Sequence, residues 1–72
     1  MARYYALVKM EAFSDRPEIL YISKSRNRID VKLEEIYLKE KELGDVFDYE
    51  EGDCLILDSD DAYYIEVVDQ EI

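Results

Sequence analysis

The sequence predicts an α+β fold: a four-stranded, mainly antiparallel sheet in β-β-α-β-β order with one helix packed on one face. Three observations predict it. Arg3 to Phe13 alternates with a two-residue period, Ile29 to Leu43 repeats apolar residues at helical spacings, and Cys54 to Val68 returns to short β-branched and aromatic runs split by a polar turn. Two hairpins flanking a helix bury their apolar faces most simply as two layers. A chain of 72 residues and 8.6 kDa suffices for a single compact domain, residues 1–72, and not for two.

Along the first strand Tyr4, Ala6, Val8, Met10 and Ala12 share one side, which is entirely apolar; Arg3, Tyr5, Leu7, Lys9, Glu11 and Phe13 share the other. The apolar side is expected to face the core. The stretch Ser14 to Glu18 turns the chain, because Pro17 fixes its own φ and biases Arg16 away from the helical region. Ile19 to Ser23 then pairs back as a hairpin. After Ser25 the period changes: Ile29, Leu33, Ile36, Tyr37 and Leu43 fall along one stripe of a helix beginning near Asn27 or Asp30, either of which can cap it. Gly44 is its expected left-handed stop. Asp45 to Asp53 reads as an acidic connector whose Val46, Phe47 and Tyr49 cover the sheet edge or form a short strand. Cys54–Leu57 and Tyr63–Val68 are the last two strands, joined by a hairpin loop at 58–62.

Composition removes most catalytic chemistry. There is no His, no Thr and no Trp, and a lone Cys54 in an apolar run excludes an intrachain disulfide and reads as an inert buried thiol. No Gly-rich phosphate loop or nucleophile motif is present, and a domain this small has little room for the cleft that paired catalytic carboxylates need. The chain is therefore expected not to be an enzyme, and to use no cofactor. Asp58, Asp60 and Asp61 are the best candidates for a cation site, but the loop lacks the Gly and the distal Glu of a calcium hand, so no metal is expected and a solvated turn explains them.

The charge pattern is the strongest functional signal. Nine basic and nineteen acidic residues give a net charge of -10, a field that repels nucleic acid and anionic membranes. All nine Lys and Arg lie before residue 42, and every charged residue after Lys41 is acidic. Asp45, Asp48, Glu50, Glu51, Asp53, Asp58, Asp60 and Asp61 crowd one short stretch. The expectation is a protein-binding module presenting this surface to a basic protein, with no direct nucleic-acid contact. Same-face strand residues stand ~6.6 Å apart, of the order of phosphate spacing. In size and acidity the chain resembles the DNA-mimicking inhibitors that phages encode, a resemblance of composition carried by no motif.

Neighbours within Tyr4-Tyr5 and Tyr63-Tyr64 must point to opposite faces, so Tyr5, with Leu7, and one of Tyr63 or Tyr64 are expected in an exposed patch behind the sheet, Tyr5 and Tyr64 being the expected partner anchors. Val31 and Leu38, two turns apart and opposite the main helical stripe, are the expected contact of a homodimer unless the Val46-Phe47 connector covers them. Such a structural homo-oligomer, with acidity serving only solubility, is the alternative function. The Lys24, Arg26, Arg28 and Lys32 cluster is expected to meet the acidic half of the same chain or of a twin. No segment approaches the ~20 apolar residues of a membrane span, and a cytoplasmic location is expected.

Overall fold

The computed structural model describes residues 2–70. Their order is β1 (Ala2–Met10), β2 (Glu18–Ser23), α1 (Arg26–Leu43), β3 (Val46–Glu50), β4 (Cys54–Leu57) and β5 (Ala62–Gln70). The α+β class is as expected, but the sheet has five strands rather than four, arranged β2-β1-β5-β4-β3 with every neighbouring pair antiparallel. The additional strand is the acidic connector, where Val46 and Tyr49 pair with Leu57 and Leu55. Val, Phe and Tyr at three of its five positions favour the extended backbone despite the flanking acids.

Both expected hairpins form, β1 with β2 and β4 with β5. A longer pairing joins them: β1 and β5 run side by side from Ala2↔Gln70 to Met10↔Ala62. β2 and β3 are left as the edges. Each is bulged, β2 at Leu20 and β3 at Phe47, which interrupts the ladder and makes the edges poor templates for another strand.

The helix starts at Arg26, ahead of both expected caps, with Ser25 in the cap position and making no side-chain capping bond. The reason is local: the Ser25 amide donates to Ser23 Oγ at 3.0 Å, which turns the chain before Asn27 is reached. The stop is the expected one. Gly44 adopts φ 78, its amide donates to the Lys41 carbonyl and the Asp45 amide to the Glu40 carbonyl, the paired bonds of a Schellman ending. An added Cβ at Gly44 would meet nothing within 4 Å, so only backbone strain opposes it. Gly44→Ala is expected to lower unfolding free energy by about 1 kcal/mol in urea titration; no loss at all would contradict the left-handed geometry.

The core is one cluster in which Ile29 and Leu33 pack on Leu7, Leu55, Leu57 and Tyr63, ringed by Tyr5, Leu20, Ile36, Tyr37, Val46, Tyr49 and Ile65. Tyr37 of the helix stacks on Tyr49 of β3, centroids 3.8 Å apart and planes 9° from parallel. These contacts reverse the expected facing of β1: Tyr5 and Leu7 lie under the helix, whereas Tyr4, Ala6, Val8 and Met10 line the uncovered side. The charged residues of the inner side misled because they sit at its ends. Arg3 pairs with Asp69 at 2.9 Å, and the Lys9 ammonium lies 5.6 Å from the Tyr63 ring centroid, so neither charge enters the apolar centre. Large aliphatic residues at Leu7, Leu55 and Leu57 fill the helix interface, while small Ala6, Val8 and Cys54 fall on the other face. No helix among the described residues is long and apolar enough to cross a membrane.

Candidate protein-interaction surfaces

The eight clustered acids all lie on the β3–β4 side of the sheet or on the turn leading into β5. Register puts Asp48 and Glu50 beside Ile56 and Cys54 on the uncovered face. Glu51 and Asp53 occupy the β3–β4 turn at one end, and Asp45, Asp58, Asp60 and Asp61 lie at the other, where the Asp58 amide donates to the Asp45 carbonyl at 2.8 Å. The acids thus border one lateral half of the molecule as two end groups bridged by Asp48, rather than forming one unbroken row. None of the eight is among the ion pairs of the described residues, which are Arg3–Asp69, Arg26–Asp30 and Lys32–Glu35.

Two of the acids have structural duties. Asp61 accepts the Ala12 amide at 3.0 Å, tying the β4–β5 turn to the end of β1, and Asp60 carries a left-handed φ of 71 that Asp tolerates better than most residues. Of the basic cluster, Arg26 does meet the acidic half, but through the backbone: its Nη2 donates to the Gly52 carbonyl at 2.9 Å, its Nε lies 3.8 Å from Asp30, and its guanidinium sits 5.9 Å from the Tyr5 ring centroid. This residue pins the β3–β4 turn to the start of the helix.

Glu50, Asp53 and Cys54 bring one ligand-type atom each within 4.8 Å of one another, whereas Asp58, Asp60 and Asp61 form no such group among the described residues. Hydrogen bonding to Asp53, and the negative charges of Asp53 and Asp48, push the Glu50 carboxyl above its ordinary pKa. Burial, followed by the negative charges of Glu50, Asp53 and Asp48, pushes the Cys54 thiol up as well, which keeps it protonated and unreactive at neutral pH. For Glu50 the fold binds a proton more tightly than the unfolded chain, so stability is gained as pH falls through the raised pKa and lost as pH rises through it. Glu50→Gln is therefore expected to raise the melting temperature at neutral pH, with the gain vanishing once acid protonates the native carboxylate. A pH-independent gain in scanning calorimetry, or a loss at neutral pH, would refute the like-charge account.

The expected tyrosine anchors separate. Tyr5 is half-buried on the helix-covered side beneath Arg26, so it does not join an exposed patch behind the sheet; Tyr64 is half-buried on the uncovered side between Val8 and Cys54. Val31 and Leu38 remain 43% and 53% exposed, and the Val46-Phe47 connector, the alternative cover for them, is instead paired in the sheet. Sequence reasoning missed Ile19, Ile22, Glu66 and Val68. Register sets Ile19 beside Val8, Ile22 and Glu66 on either side of Ala6, and Val68 beside Tyr4, all on the uncovered face. For the three apolar residues a signal was available in the wholly apolar side of β1, which has no polar alternation to mark a solvated surface.

These features define a class: a small α+β domain with one helix over one face of an antiparallel sheet, an acidic lateral border and a second sheet face that no helix covers. No family model matches the chain, and neither a curated protein nor a solved structure matches it.

Proposed function

We propose that the chain is a non-enzymatic protein-binding module that presents the Asp45–Asp61 acidic surface to a basic partner protein. The observation that carries this reading is the absence of any ion pair to those eight carboxylates among the described residues, despite nine Lys and Arg in the same chain. Unpaired like charge raises the field outside the protein, and complementary charge speeds encounter while apolar contacts set residence time. A DNA-mimic inhibitor is the sharper form of the same reading: Asp48 and Glu50 share a face two residues apart, ~6.6 Å along a strand. Capture of binding proteins from cell extract at low salt, followed by elution at high salt, is the test. Basic nucleic-acid-binding proteins released by salt are the expected result; retention independent of salt would remove charge as the reason for binding.

Exposure of both Val31 and Leu38 favours a second reading, a homodimer through the outer stripe of α1. Light scattering of Val31→Lys with Leu38→Lys is expected to show a monomer with native circular dichroism if the stripe is an interface. An unchanged mass relative to the parent chain would exclude that dimer.

A further inference from the structure

We propose that the uncovered sheet face is a docking site for an amphipathic helix of a basic protein, whose apolar stripe seats on Tyr4, Ile19, Ile22 and Val68 and whose Lys or Arg reaches Glu66. This rests on the basic-partner reading above but assigns the contact to a different surface. Antiparallel sheets covered on one side normally alternate so that the other side is polar. Here β1 places Tyr4, Ala6, Val8 and Met10 on that side, β2 adds Ile19 and Ile22, and β5 adds Tyr64 and Val68; Ala6 and Val8 are buried beneath these larger neighbours, so the accessible apolar surface is the rim of Ile19, Ile22 and Val68. Ile19, Ile22 and Val68 are 57%, 60% and 41% exposed, and together with Tyr4, Ala6 and Glu66 they line a groove of about 290 Å³. The molecule is correspondingly flat, 43 × 26 × 15 Å, and its radius of gyration of 12.6 Å exceeds the ~11 Å of a typical globule of this length. A second helix laid on this face would complete a three-layer arrangement with α1 on the opposite side.

Charge decides the occupant. The uncovered face carries Glu66, Asp48 and Glu50. Lys24, the cation beside it, already lies over an aromatic ring, its ammonium 5.6 Å from the centroid of Tyr4. Glu66 has no ion-pair partner among the described residues and stands in the groove itself. Closing a second copy of this face over it would bury a carboxylate with no cation opposite, which is strongly unfavourable. An apolar stripe bearing one Lys or Arg satisfies both the groove and Glu66.

The probe is an alanine-rich helical peptide of roughly 18 residues with a leucine stripe flanked by lysines, and a control peptide with the same stripe flanked by glutamates. Titration of isotope-labelled protein by NMR is expected to shift amides of β1, β2 and β5 with the lysine peptide and not with the control. Ile22→Ser with Val68→Ser is expected to weaken binding tenfold or more, and Glu66→Gln several-fold, with folds verified by circular dichroism. Shifts confined to residues 45–61, with the face variants binding like the parent, would overturn this site while leaving the acidic-surface reading intact. Binding of neither peptide would overturn both. Self-association abolished by the Ile22 and Val68 changes would overturn the proposal in favour of a second copy.

Discussion

Leu33→Ala is expected to lower unfolding free energy by about 2–5 kcal/mol, the range for truncating a fully buried leucine. Leu33 is 0% exposed at the centre of the helix–sheet interface, among Leu7, Leu55 and Tyr63. Removing its three terminal carbons forfeits burial and leaves a cavity, because the facing Leu7, Leu55, Leu57 and Tyr63 are pinned on three hydrogen-bonded strands that restrict collapse. For a domain of this size each kcal/mol moves the melting point by roughly 4–8 °C, so a fall on the order of 10 °C or more should appear in a thermal scan. Leu38→Ala, on the outer side of the same helix, is expected to stay within about 0.5 kcal/mol. Should the Leu33 variant fail to fold, Leu33→Met, expected to cost under about 1.5 kcal/mol, preserves the comparison. Equal effects at positions 33 and 38 would mean that the helix does not pack through the Ile29–Leu33 side.

Reversing Asp48, Glu50 and Glu51 to Lys is expected to reduce the association rate with a basic partner tenfold or more at low salt, and to flatten its salt dependence. The net charge moves from -10 to -4, three reversals of two units each. These positions are preferable to Asp61, whose carboxylate holds the Ala12 amide and whose loss would confound binding with folding. The reversal replaces like charge beside Asp53 with cations, and circular dichroism of the variant verifies its fold before binding is compared. Stopped-flow association kinetics with the captured partner provide the measurement. Rates unchanged by the reversal, with the salt slope intact, would place the contact elsewhere on the molecule.

The local elements were legible because their causes are local. Cys54–Leu57 was bounded to the residue by Gly52-Asp53 before it and the polar loop after it. Gly44 ended the helix where the apolar stripe ended, since glycine enters the left-handed region without strain. The connector was harder: acids argue for a loop and Val46, Phe47 and Tyr49 for a strand, and the balance tips only when β4 offers hydrogen bonds along its edge. Among the site residues, the acidic stretch was visible as charge, but its division between two ends of a hairpin was not, because that depends on where the turn at Gly52 falls. Glu66 was invisible as a site residue, since nothing in its own neighbourhood tells that β5 will lie against the bare side of Ala6.

The amino-acid order by itself determined the helix, its stop, both hairpins, the α+β class and the segregation of acids into the trailing half, all of which follow from periodicity, turn chemistry and count. Only the tertiary structure decided that β1 and β5 form the centre of the sheet and that the helix covers the Tyr5–Leu7 side. Period-two alternation defines two faces without ranking them, and in β1 the wholly apolar face is not the one the helix covers. The choice belongs to the fit of Ile29 and Leu33 against leucines drawn from strands far apart in the chain, which no local pattern encodes.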